Sequence, residues 1–413
     1  MVRLLKHCYH YVKAFMYMYS IPRNQSGKKT ILAVNHFYDQ DIQALINASD
    51  STDLNLIVIN PRNLFAPIVS LFPVDIRAGK LPYDDSSVSS ERRYAKRISK
   101  IIFRTLYRRL NFDIILTPSD AYYWIREFIH VSKNENVPTV VVDKEGTISP
   151  YYFVNHCLEV KDLYPPISDK FIVWSENQKE FWSNCGVSPD NIEIIGQPRS
   201  DLLMSLKPEK LNLFEEERNP TVLFYTYELD AYIPSHMYEA GLTWSDLRNQ
   251  CHEQIKRLAQ ENSEVNFIIK CHPQQLDIEE IENDFNGYEN LKVLTGSASS
   301  NQLLVNSDLV VGFQTTALIE SIVLRKPTIY TFFSESVHSF KEGILPFHEY
   351  SAFETVSSDI ELYDKIKEFI KNKFSSNIPD ESREKLIKRY LNNPDGKVGR
   401  RVLNYLQQYL ENS

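Results

Sequence analysis

Asp308-Leu-Val-Val-Gly-Phe-Gln-Thr-Thr-Ala-Leu-Ile-Glu320 is the stretch on which the fold turns. Asp308–Phe313 reads as a strand buried on both faces with Gly312 making a tight turn, and Gln314–Thr316 as the opening of a helix. Strand, glycine turn and helix make one step of a βαβ unit. Working outward, β-branched runs recur at Thr221–Tyr227, Val265–Lys270 and Leu291–Thr295 before it, and at Pro327–Phe332 after it. Upstream of an acidic, polar stretch at 215–220 lies another series: Thr30–Val34, Leu54–Asn60, Phe112–Thr117, Pro138–Asp143, Lys170–Ser175 and Ile192–Gly196. The expected architecture is α/β, with two doubly wound domains over residues 1–205 and 206–413, the second ending in helices that include one near Val398–Leu410.

The chain has 413 residues, enough for two or three domains, and its 46 basic against 54 acidic side chains give a net charge of −8. That balance counts against general nucleic-acid binding. No apolar run approaches the roughly 18–20 residues of a membrane span. The first twenty residues mix Arg3, Lys6, His7, His10 and Lys13 into an apolar stretch, and read as a helix of the mature protein rather than a signal peptide. The five cysteines, Cys8, Cys157, Cys185, Cys251 and Cys271, show no C-x-x-C spacing, so neither a disulfide framework nor a zinc site is expected and a reducing cytoplasm fits. No metal and no cofactor is expected.

Ligands of open α/β sheets bind beyond the carboxyl ends of the strands, and three such places carry reactive side chains. Lys270-Cys-His-Pro273 puts a cation and an imidazole at a strand end, with Pro273 fixing the turn. His272 can donate to a phosphoryl oxygen or protonate a leaving phosphate. Alone, such a dipeptide is more often a surface histidine. Around Gly312, the helix opening at Gln314, Thr315 and Thr316 offers free N–H groups and two hydroxyls to a phosphate, and Glu320 one turn on can accept from a ribose. A plain helix cap is the competing reading. Asp143-Lys-Glu-Gly-Thr147 ends a third strand with two carboxylates, either able to serve as a general base; a solvated turn is the alternative.

Together with Ile194-Ile-Gly-Gln-Pro-Arg-Ser-Asp-Leu-Leu203, Lys326-Pro327, and Asp395-Gly-Lys397 before Arg400-Arg401, these segments resemble bacterial surface-carbohydrate biosynthesis transferases. The relatives are the CDP-glycerol glycerophosphotransferases and the capsule Kdo and sialic acid transferases. The resemblance runs from about residue 140 to the end. It implies a GT-B-like fold, two Rossmann-like domains facing across a cleft, with acceptor bound by the first and nucleotide donor by the second. It implies donor-phosphate contacts at His272, Thr315 and Thr316, and an interdomain joint at Gly196, Pro198 and Arg199. Asp143-Lys-Glu-Gly146 is similar to the acidic motif of the Kdo and sialic acid branches but has a lysine inserted, which leaves open which carboxylate is the base. No histidine-glycine pair matches the first catalytic histidine of the glycerophosphotransferase branch.

The expected activity is therefore metal-independent transfer of a sugar from a CMP-, CDP- or UDP-activated donor to a surface polysaccharide or lipid-linked glycan at the cytoplasmic face. Transfer of glycerol or ribitol phosphate is the nearer alternative, and a non-catalytic nucleotide-binding partner the farther one. Asp39-Gln-Asp41 reads as an acid-rich helix start rather than a metal site, with His36 before it able to line an acceptor pocket. Tyr122-Tyr-Trp124 reads as core packing or a domain interface. Glu91–Leu110 sets Arg92, Arg93, Lys96, Arg97 and four further cations around Ile98, Ile101, Ile102 and Leu106, a basic amphipathic helix able to meet an anionic membrane or a phosphate-bearing acceptor.

Overall fold

The computed structural model describes all residues except 1, 25–26, 210, 215–218, 232, 234–240, 242, 274, 296–297, 334–336, 338–342, 376–377 and 413, and of residues 2–7 the backbone alone. Residues 215–218 of the acidic stretch expected near the domain joint thus lie outside the described residues. The chain divides into two compact units, one of residues 1–146, 154–202 and 391–413, the other of 147–153 and 203–390.

The first unit is built on a parallel sheet in the order β2-β1-β3-β4-β5-β6. Its strands are β1 (Lys29–Val34), β2 (Leu54–Ile59), β3 (Ile114–Thr117), β4 (Thr139–Val142), β5 (Lys170–Val173) and β6 (Ile192–Ile194). The period-2 alternation of a strand sends successive side chains to opposite faces. Leu32 and Val34 join a core with Ile98, Ile102, Phe128 and Met18, while Ile31 and Ala33 join one with Ile42, Leu45, Val402 and Leu406. The helices supplying these side chains are α1 (Val2–Ser20), α2 (Asp39–Ser49), α3 (Ser89–Leu110), α4 (Arg126–Asn134) and α8 (Val398–Glu411); α5 (Glu176–Asn184) follows β5.

The second unit repeats the plan in the order β12-β11-β10-β7-β8-β9, again all parallel. Its strands are β7 (Thr221–Tyr225), β8 (Asn266–Lys270), β9 (Leu291–Leu294), β10 (Leu309–Gly312), β11 (Thr328–Thr331) and β12 (Glu354–Val356), with helices α6 (Ser245–Glu261) and α7 (Thr316–Val323) used below in the site. The two doubly wound parallel sheets are those expected; β12, a short edge strand on β11, is an addition. Among the described residues, no helix is long and apolar enough to cross a membrane.

The division departs from 1–205/206–413 by three residues at the boundary, which falls after Leu202, and in two further places. Helix α8 returns to the first unit, where Val398, Val402, Leu403 and Leu406 are buried in its core and the Asp201 carboxylate accepts from the N–H groups of Val398 (2.9 Å) and Gly399 (2.7 Å). Gly399 is required there, because a Cβ would lie 2.9 Å from the Ala44 carbonyl oxygen on α2. Residues 147–153 go to the second unit, where Ser149 donates to the Ile344 carbonyl (2.8 Å) and Tyr151 to Glu349 (3.1 Å).

Candidate functional site

The chain starts one place in from the edge of the first sheet and at the middle of the second, winds outward one way and then the other, and so sets its switch points between β1 and β3 and between β7 and β10. The reactive side chains expected from the sequence gather at the carboxyl ends of these and the neighbouring strands.

At the end of β4 the two carboxylates of 143–147 have different fates. Asp143 is buried. Its Oδ2 accepts from Trp182 Nε1 (2.7 Å) and Gln178 Nε2 (3.1 Å), its Oδ1 from the Glu145 N–H (3.2 Å), and its carbonyl from Trp174 Nε1 (2.7 Å). Gln178 also donates to the Glu145 carbonyl. Gly146 completes the clamp, since a Cβ there would fall 1.9 Å from the Trp174 ring. Glu145 stands outside it, its side chain 70% exposed and 3.4 Å from Lys144 Nζ. Asp143 thus holds the loop and Glu145 is presented.

Burial pushes the Asp143 carboxyl up to about 7, against the opposing pull of its hydrogen bonds. A carboxyl raised in the fold stabilises while protonated, so this contribution is complete below about pH 4 and lost as pH rises through 7. Buried Asp41, raised to about 6, acts in the same direction. His36, lowered to about 4, pulls the other way over the same range, so the Asp143 contribution is read as a difference. Wild type is expected to lose stability relative to Asp143→Asn between pH 4 and pH 7, and differential scanning calorimetry of both proteins across that range measures it.

At the β1/β3 switch point His36 lies edge-on to Tyr122 (4.7 Å between centroids) and Trp124 (5.1 Å), which stack on each other. Burial, then Lys144, then Arg62 lower its pKa to about 4, so the imidazole is neutral at pH 7. The positive charges here are Arg62 and Lys144, set 4.9 and 5.6 Å from the ring centroid of exposed Phe37. Phe37 has φ +51°, a left-handed conformation costly for an aromatic residue. Asp41 is tied to Arg199 through the backbone N–H (3.0 Å), and the Arg199 guanidinium covers Trp174 at 4.8 Å. Gly196, Pro198 and Arg199, expected at the interdomain joint, lie inside the first unit, shortly before its boundary at Leu202. Of the basic residues expected to face acceptor or membrane, Arg93, Lys96 and Arg97 are exposed. Arg92 turns inward, 3.5 Å from buried Glu127 and over the Tyr83 ring.

In the second unit, β8 delivers His272 and Pro273 to the surface. Lys270 is buried and its ammonium donates to the Cys271 carbonyl (2.8 Å), so the exposed member of the expected pair is His272. Across β7, β10 ends at Gly312. Gln314 (φ +49°) is buried, its Oε1 accepting from the Leu345 N–H (2.5 Å). Thr315 caps α7, its hydroxyl accepting from the Ala317 N–H (3.3 Å); Thr315 and Thr316 are partly exposed and Glu320 is buried. Sequence reasoning missed Thr226 after β7, whose hydroxyl lies 3.0 Å from buried His252 on α6. It also missed the Trp174–Gln178–Trp182 clamp.

Comparison with known proteins adds a family. Residues 159–408 match the model of the CDP-Glycerol:Poly(glycerophosphate) glycerophosphotransferase family. The chain belongs to this family. As a glycerophosphotransferase-family member it is a transferase enzyme, related to surface-carbohydrate transferases as the sequence resemblance implied. Among solved structures it is similar to S. aureus MnaA with UDP (13% identity, 93% of this chain and 97% of that one, TM-score 0.59). It is also similar to UDP-GlcNAc 2-epimerase from Neisseria meningitidis bound to UDP-GlcNAc (12%, 92% and 100%, 0.56) and to a glycosyltransferase from Rickettsia africae ESF-5 (16%, 94% and 100%, 0.52). These likenesses show the fold, which is of the GT-B type. None of the curated proteins matches the chain.

Proposed function

We propose that this glycerophosphotransferase-family member moves a polyol phosphate from a CDP-activated donor to a hydroxyl of a surface glycan or polyol-phosphate acceptor. The family match supports the donor class; the observation that carries the chemistry is an exposed carboxylate, Glu145, on a rigidly clamped loop. In this reading Glu145 takes the acceptor hydroxyl's proton as its oxygen attacks the donor's β-phosphorus. The new O–P bond forms as the bond from that phosphorus to the bridging oxygen breaks, and its electron pair leaves on CMP. His272, the Thr315 and Thr316 hydroxyls and the N–H groups opening α7 meet the developing charge. Glu320 is proposed to face the ribose.

Sugar transfer is the second reading, favoured by a carboxylate where the glycerophosphotransferase branch has its first histidine. The same base would then direct attack at an anomeric carbon, with the nucleotide leaving. For either reading the acceptor, lipid-linked or part of a growing surface polymer, is met at the inner face of an anionic membrane, which exposed Arg93, Lys96 and Arg97 support.

A thermal-shift panel of CMP, CDP, UDP, GDP and ADP tests the donor. Cytidine nucleotides are expected to stabilise selectively, by about 2.7 kcal/mol at a hundredfold excess over Kd. Selective response to UDP turns the reading toward a sugar donor, and no response at millimolar nucleotide overturns both.

A further inference from the structure

Helix α1 is amphipathic in an unusual sense. It buries Ala14 and Met18 against the first unit, and turns Tyr9, Val12, Phe15, Met16 and Tyr19 outward, each more than half exposed. Lys13 is the one charged side chain among its exposed residues from Cys8 to Ser20. Beside it runs α3, whose Ile101 is 61% exposed. Between the two helices lies a groove of about 290 Å³ with almost wholly apolar walls, formed by Val12, Phe15 and Met18 on one side and Ile98, Ile101 and Ile102 on the other. Arg109 locks the end of the pair, donating to the Tyr19 and Ile21 carbonyls (3.1 and 2.7 Å) and covering the Tyr19 ring at 4.8 Å.

The charge around this patch identifies what covers it. Arg97, Arg104 and Arg108 lie four residues before and three and seven after Ile101, on the same side of α3. Helix α3 carries eight Lys/Arg and one acidic residue in a chain of net charge −8. A second copy docking through the same patch would set these cations against themselves, because a two-fold interface is self-complementary. Anionic phosphate headgroups above an acyl layer satisfy both features, the cations at the headgroups and the aromatic and aliphatic side chains just beneath.

We infer that α1 and α3 together form a membrane-docking surface: the exposed face of α1 inserts into the headgroup–acyl boundary of an anionic leaflet, the groove receives acyl chain, and the α3 cations hold the phosphates. This extends the peripheral attachment proposed above from charge attraction to insertion, and assigns the inserting element to α1. It does not depend on which group the enzyme transfers.

Flotation of the full chain with phosphatidylcholine vesicles, with or without about 30% phosphatidylglycerol, tests it. The wild type is expected to float with the anionic vesicles, about tenfold less with neutral ones, and less as salt rises. Phe15→Glu with Met16→Glu changes two exposed side chains and is expected to lose at least ~10-fold in binding to anionic vesicles, even at low salt. An unchanged melting temperature and nucleotide response in that variant show that fold and donor site are intact, so failure here is separate from failure of the transferase reading. Equal binding to neutral and anionic vesicles overturns the inference. So does wild-type binding by the double variant, or a solution dimer that the double variant abolishes.

Discussion

Glu145→Gln is expected to lower turnover by ~10²–10⁴-fold while leaving nucleotide-dependent stabilisation in place, because it removes a proton acceptor and nothing that holds the fold. Glutamine keeps the length and the backbone hydrogen bonds of the loop. The side chain it replaces is exposed and, among the described residues, its ion pair is with Lys144 at 3.4 Å, so little stability is at stake. Asp143→Asn separates base from support. Its amide can keep one oxygen toward Trp182 and Gln178 only by aiming its NH₂ at the Glu145 N–H, which sets donor against donor. The asparagine variant should therefore lose stability and loop order, where the glutamine variant loses chemistry alone. Single-turnover kinetics with a CDP-activated donor decide between them. Full activity in Glu145→Gln would remove this carboxylate from the mechanism.

His272→Ala is expected to cost ~10²–10³-fold in kcat, the scale of losing one donor to developing negative charge, and to abolish the stabilisation by cytidine nucleotides. The effect should be large because Lys270, its neighbour in the motif, cannot compensate: its ammonium is buried and committed to the Cys271 carbonyl. The expectation is sharpest when nucleotide calorimetry and turnover are measured on the same preparation. Retained nucleotide binding with lost turnover would assign His272 to the leaving phosphate alone, and retention of both would place the donor elsewhere.

Much of the architecture was legible because parallel strands are apolar runs of a few residues closed by turn formers, as at Val310-Val-Gly312 and Thr139–Val142. Glu354–Val356 escaped because a three-residue edge strand with one buried side chain carries no such run. The path of α8 was hidden for a different reason. Its apolar stripe at Val398, Val402, Leu403 and Leu406 says that one face is covered, but periodicity does not say by which sheet. At the site, strand ends gave the positions of Glu145, His272 and Thr315, yet not their exposure. A lysine at a strand end reads as an offered cation, whereas β8 is flanked by β7 and β9 and Lys270 is enclosed. Trp174 closes the run Lys170–Ser175, and Gln178 and Trp182 sit in the helix after it, so nothing in their spacing joins them to Asp143. That two indole N–H groups serve Asp143 emerges only once β4 and β5 are paired.

The return of α8 to the first unit also sets a timetable for biosynthesis. The faces of α2 and β1 that it covers leave the ribosome early, but their partner is translated only after residues 203–390. At roughly 5–20 residues per second the delay is about 10–40 s. Throughout that interval the nascent chain carries a bare apolar seam, a natural client for a chaperone, and the neighbouring unit is complete before the one that started first can close.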